Sequence, residues 1–524
     1  MATDKNEHGQ YFTPSHIADM MVALIGSKKE AKTLEPSSGA GVFLDSLIAA
    51  GRKNLYAVEI DPKFAKHPNV EVECHSYISW KSTEKFKTII GNPPYIRWKN
   101  LAEEQKTELM EDVNWGTLFN ALSDYLMVFI VKSIERLTTG GELIFITPSF
   151  WLNTQHAEPI RNYMVQNGVF THLVSFGESK VFEGVSSSIV IFRWVKQIPT
   201  LDKIKYFEFI GGRKVKQTDT DLTNPDLYKT LHIRQFEANS TWTLASEHDL
   251  SRARKFENWT NKTVPSERLW DDSSFKTIGD FCDIANGMVS GCDKAFRISP
   301  VLLSNLNNSE LECVQQVVKG SDLNHLITFK TTPYIDLPLN LTESILEDKY
   351  PSICDHLSSF KDELNNRYSY GRNLPFWEWS FRRSEKFFKD GRTKIFVPCK
   401  ERITNKDRVR FSLAPHAAIP TQDVTALCPK LGVKESAEFI AAFLSLRSVT
   451  EWIRIKGLVK GGIAEFSERP LASLPFRPIN WSDKKEVKIH TALTDLLRHH
   501  SEHDIQELEV EVKSLFSQLG WSES

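Results

Sequence analysis

Apolar positions in the first 210 residues switch between two periods. Ile17, Met20, Met21 and Leu24 recur at helical spacing behind Thr13-Pro14, which predicts a helix with Thr13 as its cap and Pro14 at its first position. Short apolar runs predict strands over 32–34, 55–60, 70–74 and 87–91, with a helix from about Val42 after the first. Residues 124–137 carry the stripe of an amphipathic helix, 142–147 read as a strand, 156–166 as a helix and 171–175 as another strand. The runs 187–194 and 204–209 are expected to pair as a closing hairpin. Strands alternating with helices predict an α/β fold, with a mostly parallel sheet covered on both faces.

Beyond about Gln235 the regime changes. Residues 237–264 are polar and helix-leaning and predict a connector. From Phe275 onward short apolar runs, prolines and aromatics predict an α+β domain over 265–480, and 481–524 reads as terminal helices. The α/β part occupies 1–236.

Composition narrows the class. Hydrophobic residues are 41% and charged residues 25% of the 524, the balance of a soluble globular chain. No apolar stretch approaches the roughly 18 residues of a membrane span, and the N-terminus has no signal-peptide pattern. The 7 cysteines are scattered without Cys-x-x-Cys, which predicts reduced thiols in a cytoplasm, no disulfide framework and no metal site. Net charge is only −2, but from Arg382 to Arg410 there are 11 Lys/Arg against 4 Asp/Glu, interleaved with Phe387, Phe388 and Phe396. That pattern reads as folded structure with one basic side.

The candidate chemistry begins at Asn92-Pro93-Pro94-Tyr95, where two prolines stop the fourth strand. An amide oxygen and a proline carbonyl can accept the two N–H bonds of a planar amino group, and a tyrosine can cover its face. Adenine, cytosine and a glutamine amide all carry such a nitrogen. A strand-ending turn is the plain alternative. The loop Glu35-Pro36-Ser37-Ser38-Gly39-Ala40-Gly41 lies between the first strand and a helix, where small residues let a ligand approach the backbone. About 20 residues on, Glu59 ends the second strand in Val58-Glu59-Ile60-Asp61, the place from which a carboxylate grips ribose hydroxyls. Two further segments, Gly9-Gln10-Tyr11-Phe12-Thr13-Pro14 and 181–187 around Phe182, would alone be read as a helix cap and as core.

In this order the four segments resemble the gamma-class (TaqI-like) type II DNA adenine-N6 methyltransferases of restriction–modification systems, over residues 9 to about 195 and more weakly beyond. The resemblance implies a Rossmann-like methyltransferase domain followed by a DNA target-recognition domain. It implies S-adenosylmethionine as cofactor, held by Tyr11, Thr13, Glu35, Ser37, Gly39, Glu59, Ile60, Ser76, Tyr77 and Pro94. It implies catalysis by Asn92, Pro93, Pro94, Tyr95 and Phe182 on an adenine flipped out of duplex DNA. Stacking at roughly 1–3 kcal/mol per aromatic offsets much of a flipping cost of a few kcal/mol. One departure is plain: the family carries an acid after the third strand, and this chain has His75-Ser76-Tyr77.

The same resemblance implies a partner restriction endonuclease, a monomeric enzyme and DNA contacts from basic residues. Candidates are Arg97 and Lys99 beside the tetrapeptide, then Arg382, Arg383, Arg392, Lys394, Lys400 and Arg402, and Lys456 and Lys460 in a glycine-rich turn. Amide or ribosomal-RNA methylation, cytosine-N4 methylation, a combined nuclease–methyltransferase and a silent DNA-binding protein are the rival readings. Glu509-Val510-Glu511-Val512-Lys513 is a superficial nuclease match on a helical pattern.

Overall fold

Successive strand residues point to opposite faces, and here both faces are apolar. Ile89, Leu143 and Phe145 face one side of the sheet, while Ile90, Ile144 and Ile146 face the other, all fully buried. The computed structural model describes residues 12–521 apart from 122, 124, 178, 183–187, 199, 201–202, 241, 262–275, 329, 370, 416, 461 and 500–504. These residues form two compact units, Met1–Asp249 and Leu250–Ser524.

The first unit is built on nine strands: β1 (Thr33–Glu35), β2 (Leu55–Glu59), β3 (Val72–Cys74), β4 (Phe86–Gly91), β5 (Leu137–Pro148), β6 (Gly168–Ser175), β7 (Ile189–Lys196), β8 (Ile204–Phe209) and β9 (Tyr228–Ile233). Their order is β3-β2-β1-β4-β5-β7-β6-β8-β9. The pairs from β3 through β5 are parallel, and β7 runs antiparallel to both β5 and β6. This is an α/β fold with a large, mostly parallel sheet. Helices α1 (Ser15–Ala23) and α2 (Val42–Ala49) cover one face; α3 (Glu103–Met110) precedes α4 (Tyr125–Arg136) and α5 (Glu158–Asn167), which cover the other.

Two local expectations change. The runs 187–194 and 204–209 are not partners: β7 lies between β5 and β6, and β8 pairs with β6 and β9. The reason is burial. Val190, Phe192 and Trp194 enter one core and Ile189 and Ile191 the other, so β7 needs neighbours on both edges. The closing hairpin is β8–β9, and β9 is half exposed, as an outer strand can be. Second, the first helix starts at Ser15 with Pro14 as its cap residue and no side-chain cap bond, so Thr13 is not the cap.

A buried ionic knot ties the end of α1 to the sheet. The Glu142 carboxylate accepts from Gly26 N (3.0 Å), Ser27 N (2.9 Å), Thr88 Oγ1 (3.0 Å) and Arg193 Nε (2.8 Å). Burial would raise its pKa; the Gly26 amide and Arg193 outweigh that and hold it below the usual carboxylate range. Replacing Glu142 by alanine is expected to destabilise the protein by about 3 kcal/mol, because Arg193 is left buried and unpaired. A urea titration against wild type checks this.

The second unit carries three small sheets. The largest has strands in the order Cys282–Asn286, Val424–Pro429, Ile395–Pro398, Ser412–Leu413 and Leu326–Ile327. Its main core gathers Phe256 and Trp259 of the helix Glu247–Asn261, Phe443 of Ala437–Leu444, and Phe516 of the terminal helix Ile505–Gln518. The segment expected as a connector thus contributes a helix to this core. No helix among the described residues is long and apolar enough to cross a membrane.

Candidate active site

The chain runs β1 to β2 to β3 in one direction and then crosses to place β4 on the other side of β1. Open α/β sheets bind ligands at such a switch point, at the C-terminal ends of the strands. Here the loops after β1, β2, β3 and β4 line one cavity. Thr13, Glu35, Ser37, Gly39, Glu59, Ile60, Ser76, Tyr77, Asn92, Pro93 and Pro94 all border it.

The turn after β1 sets the floor. Gly39 and Gly41 have φ of +50° and +83°, a region that side chains disfavour, and a Cβ on Gly41 would sit 2.8 Å from the His67 ring. The Ser37 hydroxyl donates to the Asn92 carbonyl (3.2 Å), joining the two loops on either side of the switch point.

Two acids with different surroundings face this floor. Glu59 is tied down: one oxygen accepts from Gly39 N (2.7 Å), the other from Asp61 N (2.9 Å). Glu35 is buried, and its Oε2 has no hydrogen-bond partner. Burial, with the charge of Glu59 and of Asp45 added, pushes its pKa well above the usual carboxylate range, against one backbone bond from Leu44. A buried carboxyl with one unpartnered oxygen suits a cationic group, and a restrained one beside a glycine turn suits ribose hydroxyls. The ammonium and ribose of S-adenosylmethionine supply both groups, so the donor set fits that cofactor.

Asn92 emerges directly after β4 with its side chain held between two neighbours. Its Nδ2 donates to Thr13 Oγ1 (3.1 Å), which explains why Thr13 serves the site rather than capping α1. The Tyr95 hydroxyl lies against two acceptors, Asn92 Oδ1 and the Ile146 carbonyl (2.7 Å). Having one proton, it can leave Asn92 Oδ1 to an incoming N–H while keeping its bond to β5. Tyr95 is half-buried beside the cavity rather than in its wall.

Phe182 does not line the cavity. It is 4% exposed and packs in the apolar cluster with Met21, Val181 and Phe207. Tyr11 lies outside the described residues, as does the Lys460 side chain.

The basic candidates divide sharply. Arg382 pairs with Asp336 (2.5 Å) and donates to the Leu337 carbonyl, Arg392 pairs with Asp390 (2.6 Å), the buried Lys394 pairs with the same Asp390 (2.9 Å), and Lys456 pairs with Glu257 (2.6 Å). These four are engaged in ion pairs inside the second unit. Arg97, Lys99, Lys400 and Arg402 are exposed, and Arg383 is half-buried. Glu509 of the superficial nuclease match faces His325 and Arg408 at 3.5 and 3.8 Å.

Sequence reasoning did not single out Phe12, Gln105, Tyr125 and Phe129, which also line the cavity. Tyr125 and Phe129 are one turn apart on α4, the spacing that reads as core; nothing in the pattern marked Gln105.

Comparison with known proteins gives a consistent answer. The sequence profile described as Eco57I restriction-modification methylase matches residues 42–182. The type II methyltransferase M.HindII of Haemophilus influenzae strain Rd is 43% identical over 498 residues, covering 94% of this chain and 93% of that protein. The type II methyltransferase M.HincII of Haemophilus influenzae is 41% identical over 498 residues, with the same 94% and 93% coverage. Among solved structures, the type IIL restriction-modification enzyme MmeI in complex with DNA has a TM-score of 0.60 at 12% identity, covering 97% of this chain and 73% of that chain. At that identity the likeness speaks for the fold.

Proposed function

The chain belongs to the type II methyltransferases of restriction–modification systems, and from that premise we propose that it methylates the N6 amino group of one adenine in a short duplex sequence. It is a DNA methyltransferase, and S-adenosylmethionine is its expected cofactor. When bound, that cofactor supplies a methyl group on a sulfonium, a strong electrophile. Everything else is done by the chain.

The observation that carries the reading is the Asn92 amide, held by Thr13 and Tyr95 on the rim of a cavity whose other polar walls are Glu35 and Glu59. An adenine amino nitrogen is a poor nucleophile because its lone pair is shared with the ring. Asn92 Oδ1 and the Pro93 carbonyl accept its two N–H bonds and draw the lone pair out of that conjugation. Charge that develops on the amino group is met by fixed dipoles, which need no reorganisation. Such an atom is out of reach inside a stacked duplex, so the base is flipped, with Tyr95 stacking on it. Phe182 is assigned as the second aromatic, as the family resemblance implies. The enzyme acts as a monomer in the cytoplasm and protects the genome from a companion endonuclease.

Sequence reading is assigned to the second unit. There Phe381, 39% exposed, exchanges backbone bonds with Val289 (2.9 and 3.0 Å), and its ring lies 5.5 Å from the guanidinium carbons of both Arg372 and Arg383. Met288 bridges to Thr421, and Cys399 N donates to the Asp423 carbonyl (2.7 Å), so these loops meet at one end of the largest sheet. Burial pushes the Cys399 thiol up there, Asp423 adds to the rise, and Thr425, Arg383 and Lys400 oppose it. Replacing Arg383 by alanine is expected to cost about 1–3 kcal/mol of discrimination at one base pair. Arg382→Ala is expected to lower stability and leave the motif unchanged. Methylation rates on single-base variants of the target check both.

The direct test is methylation-sensitive long-read sequencing of plasmid from a methylation-free host expressing the chain. One motif bearing N6-methyladenine supports the proposal. Cytosine-N4 methylation, or no modified base from a folded protein, overturns it.

A further inference from the structure

Helices α3 and α4 supply part of the cavity wall, and the chemistry beside them is unusual. Ile60, Ile96 and Phe129 give it apolar walls. Its polar groups include Ser76, Gln105 and Tyr125; of their lining neighbours, His75 has its Nδ1 on the Ser76 carbonyl (2.9 Å) and Tyr77 has its hydroxyl on Ser133 (3.2 Å), and the carboxylates among the described lining residues are Glu35 and Glu59. Ser76 Oγ is buried without a hydrogen bond of good geometry, although it lies beside the Tyr125 hydroxyl. Gln105 Oε1 accepts from Ala102 N (3.3 Å) at the start of α3, which holds the amide in place with Gln105 only 9% exposed. Tyr125 is 3% exposed and lines the same cavity as Ser76 and Gln105, both of which act on its hydroxyl.

A buried hydroxyl left unsatisfied costs stability unless a ligand satisfies it. With its Oε1 held by Ala102 N, the Gln105 amide offers its N–H to a ring acceptor while the Ser76 and Tyr125 hydroxyls take a donor, a polarity that matches an amino-purine edge and not an oxo-purine edge. A carboxylate could read only the donor. We propose that Gln105, with Ser76 and Tyr125, reads the amino-purine edge of the cofactor in this chain, replacing the acid expected after β3 with a neutral trio. This rests on the assignment of S-adenosylmethionine to the cavity. Gln105 acts as a specificity-determining residue, and its position is fixed by the first turn of α3 rather than by the strand ends.

The experiment uses the full chain and S-adenosylhomocysteine, a stable probe, beside its inosine counterpart, in which an oxo group replaces the amino group. Calorimetric Kd values are measured for wild type, Gln105→Leu and Ser76→Asp. One good hydrogen bond corresponds to about tenfold in Kd. Gln105→Leu is expected to weaken the adenine probe about tenfold while changing the inosine probe much less, so the preference between them narrows. Ser76→Asp is expected to restore the acid and widen the preference. A merely structural role would weaken both probes equally, and that outcome, or an unchanged ratio in Gln105→Leu, overturns the proposal. Should Gln105→Leu fail to fold by thermal melting, Gln105→Glu, which keeps the shape and removes the N–H donor, takes its place with the same expected narrowing. Absence of binding by folded wild type would instead overturn the cofactor assignment itself, a distinct result.

Discussion

Asn92→Ala is expected to lower the single-turnover methylation rate by about 10²–10³-fold or more while leaving cofactor and DNA affinity nearly intact. The magnitude follows from removing one preorganised polar group from a transition state, worth roughly 3–4 kcal/mol in sites of this kind. The side chain is not part of the core: it borders the cavity and is half-buried, so its loss leaves no unfilled interior. Its partners give graded controls. Tyr95→Phe removes the hydroxyl that bridges Asn92 to the Ile146 carbonyl but keeps the ring, and about a tenfold loss is expected. Thr13→Val removes the acceptor for Asn92 Nδ2 and should act in the same range. Rapid-quench rates at saturating cofactor and DNA separate these effects from binding. A variant lacking Asn92 that methylates within tenfold of wild type would place the reacting atom elsewhere.

How far the site could be read from the chain depends on where each residue stands. Glu35, Glu59 and Asn92 end buried strands, and such ends are legible because an apolar run of strand length stops at them. A parallel sheet then brings those ends to one edge, so positions 24 and 57 residues apart meet by topology alone. Gln105 and Tyr125 reach the same cavity from helices that follow β4, with a long connection between them. Their approach depends on how α3 and α4 settle on the sheet, and no local period encodes that. The basic residues were hard to sort for a related reason. A run of cations between Arg382 and Arg410 looks like one face, but Asp336, far away in sequence, pairs with Arg382. The misplaced hairpin shows the same limit: β7 has apolar residues on both faces, which marks an interior strand, while the choice of neighbours belongs to the whole sheet.

Glu35→Gln is expected to weaken S-adenosylmethionine binding by about 100-fold and, at the same time, to make the cofactor-free protein more stable near pH 7. Both follow from one buried carboxyl. In the folded protein burial and the charge of Glu59 raise its pKa well above that of an unfolded chain, about 4.3 for glutamate. A raised acid binds its proton more tightly when folded. Its cost is therefore absent below the unfolded value and grows as pH rises toward the folded one. Glutamine keeps the shape and never ionises, so the urea midpoint of the variant should exceed wild type at pH 7 and the gap should shrink toward pH 4. Cofactor binding works in the opposite direction. An ammonium beside Glu35 favours the carboxylate, and a charge-assisted bond is worth roughly 1.5–3 kcal/mol. Binding then expels the proton of Glu35, and wild-type affinity should rise with pH until Glu35 is ionised in the empty protein. The variant should show neither the rise nor the proton release. Calorimetry in two buffers of different ionisation heat measures that proton directly. Equal release by wild type and Glu35→Gln would assign the ammonium to another group, and Glu59, already bonded by Gly39 and Asp61, would be the next to replace.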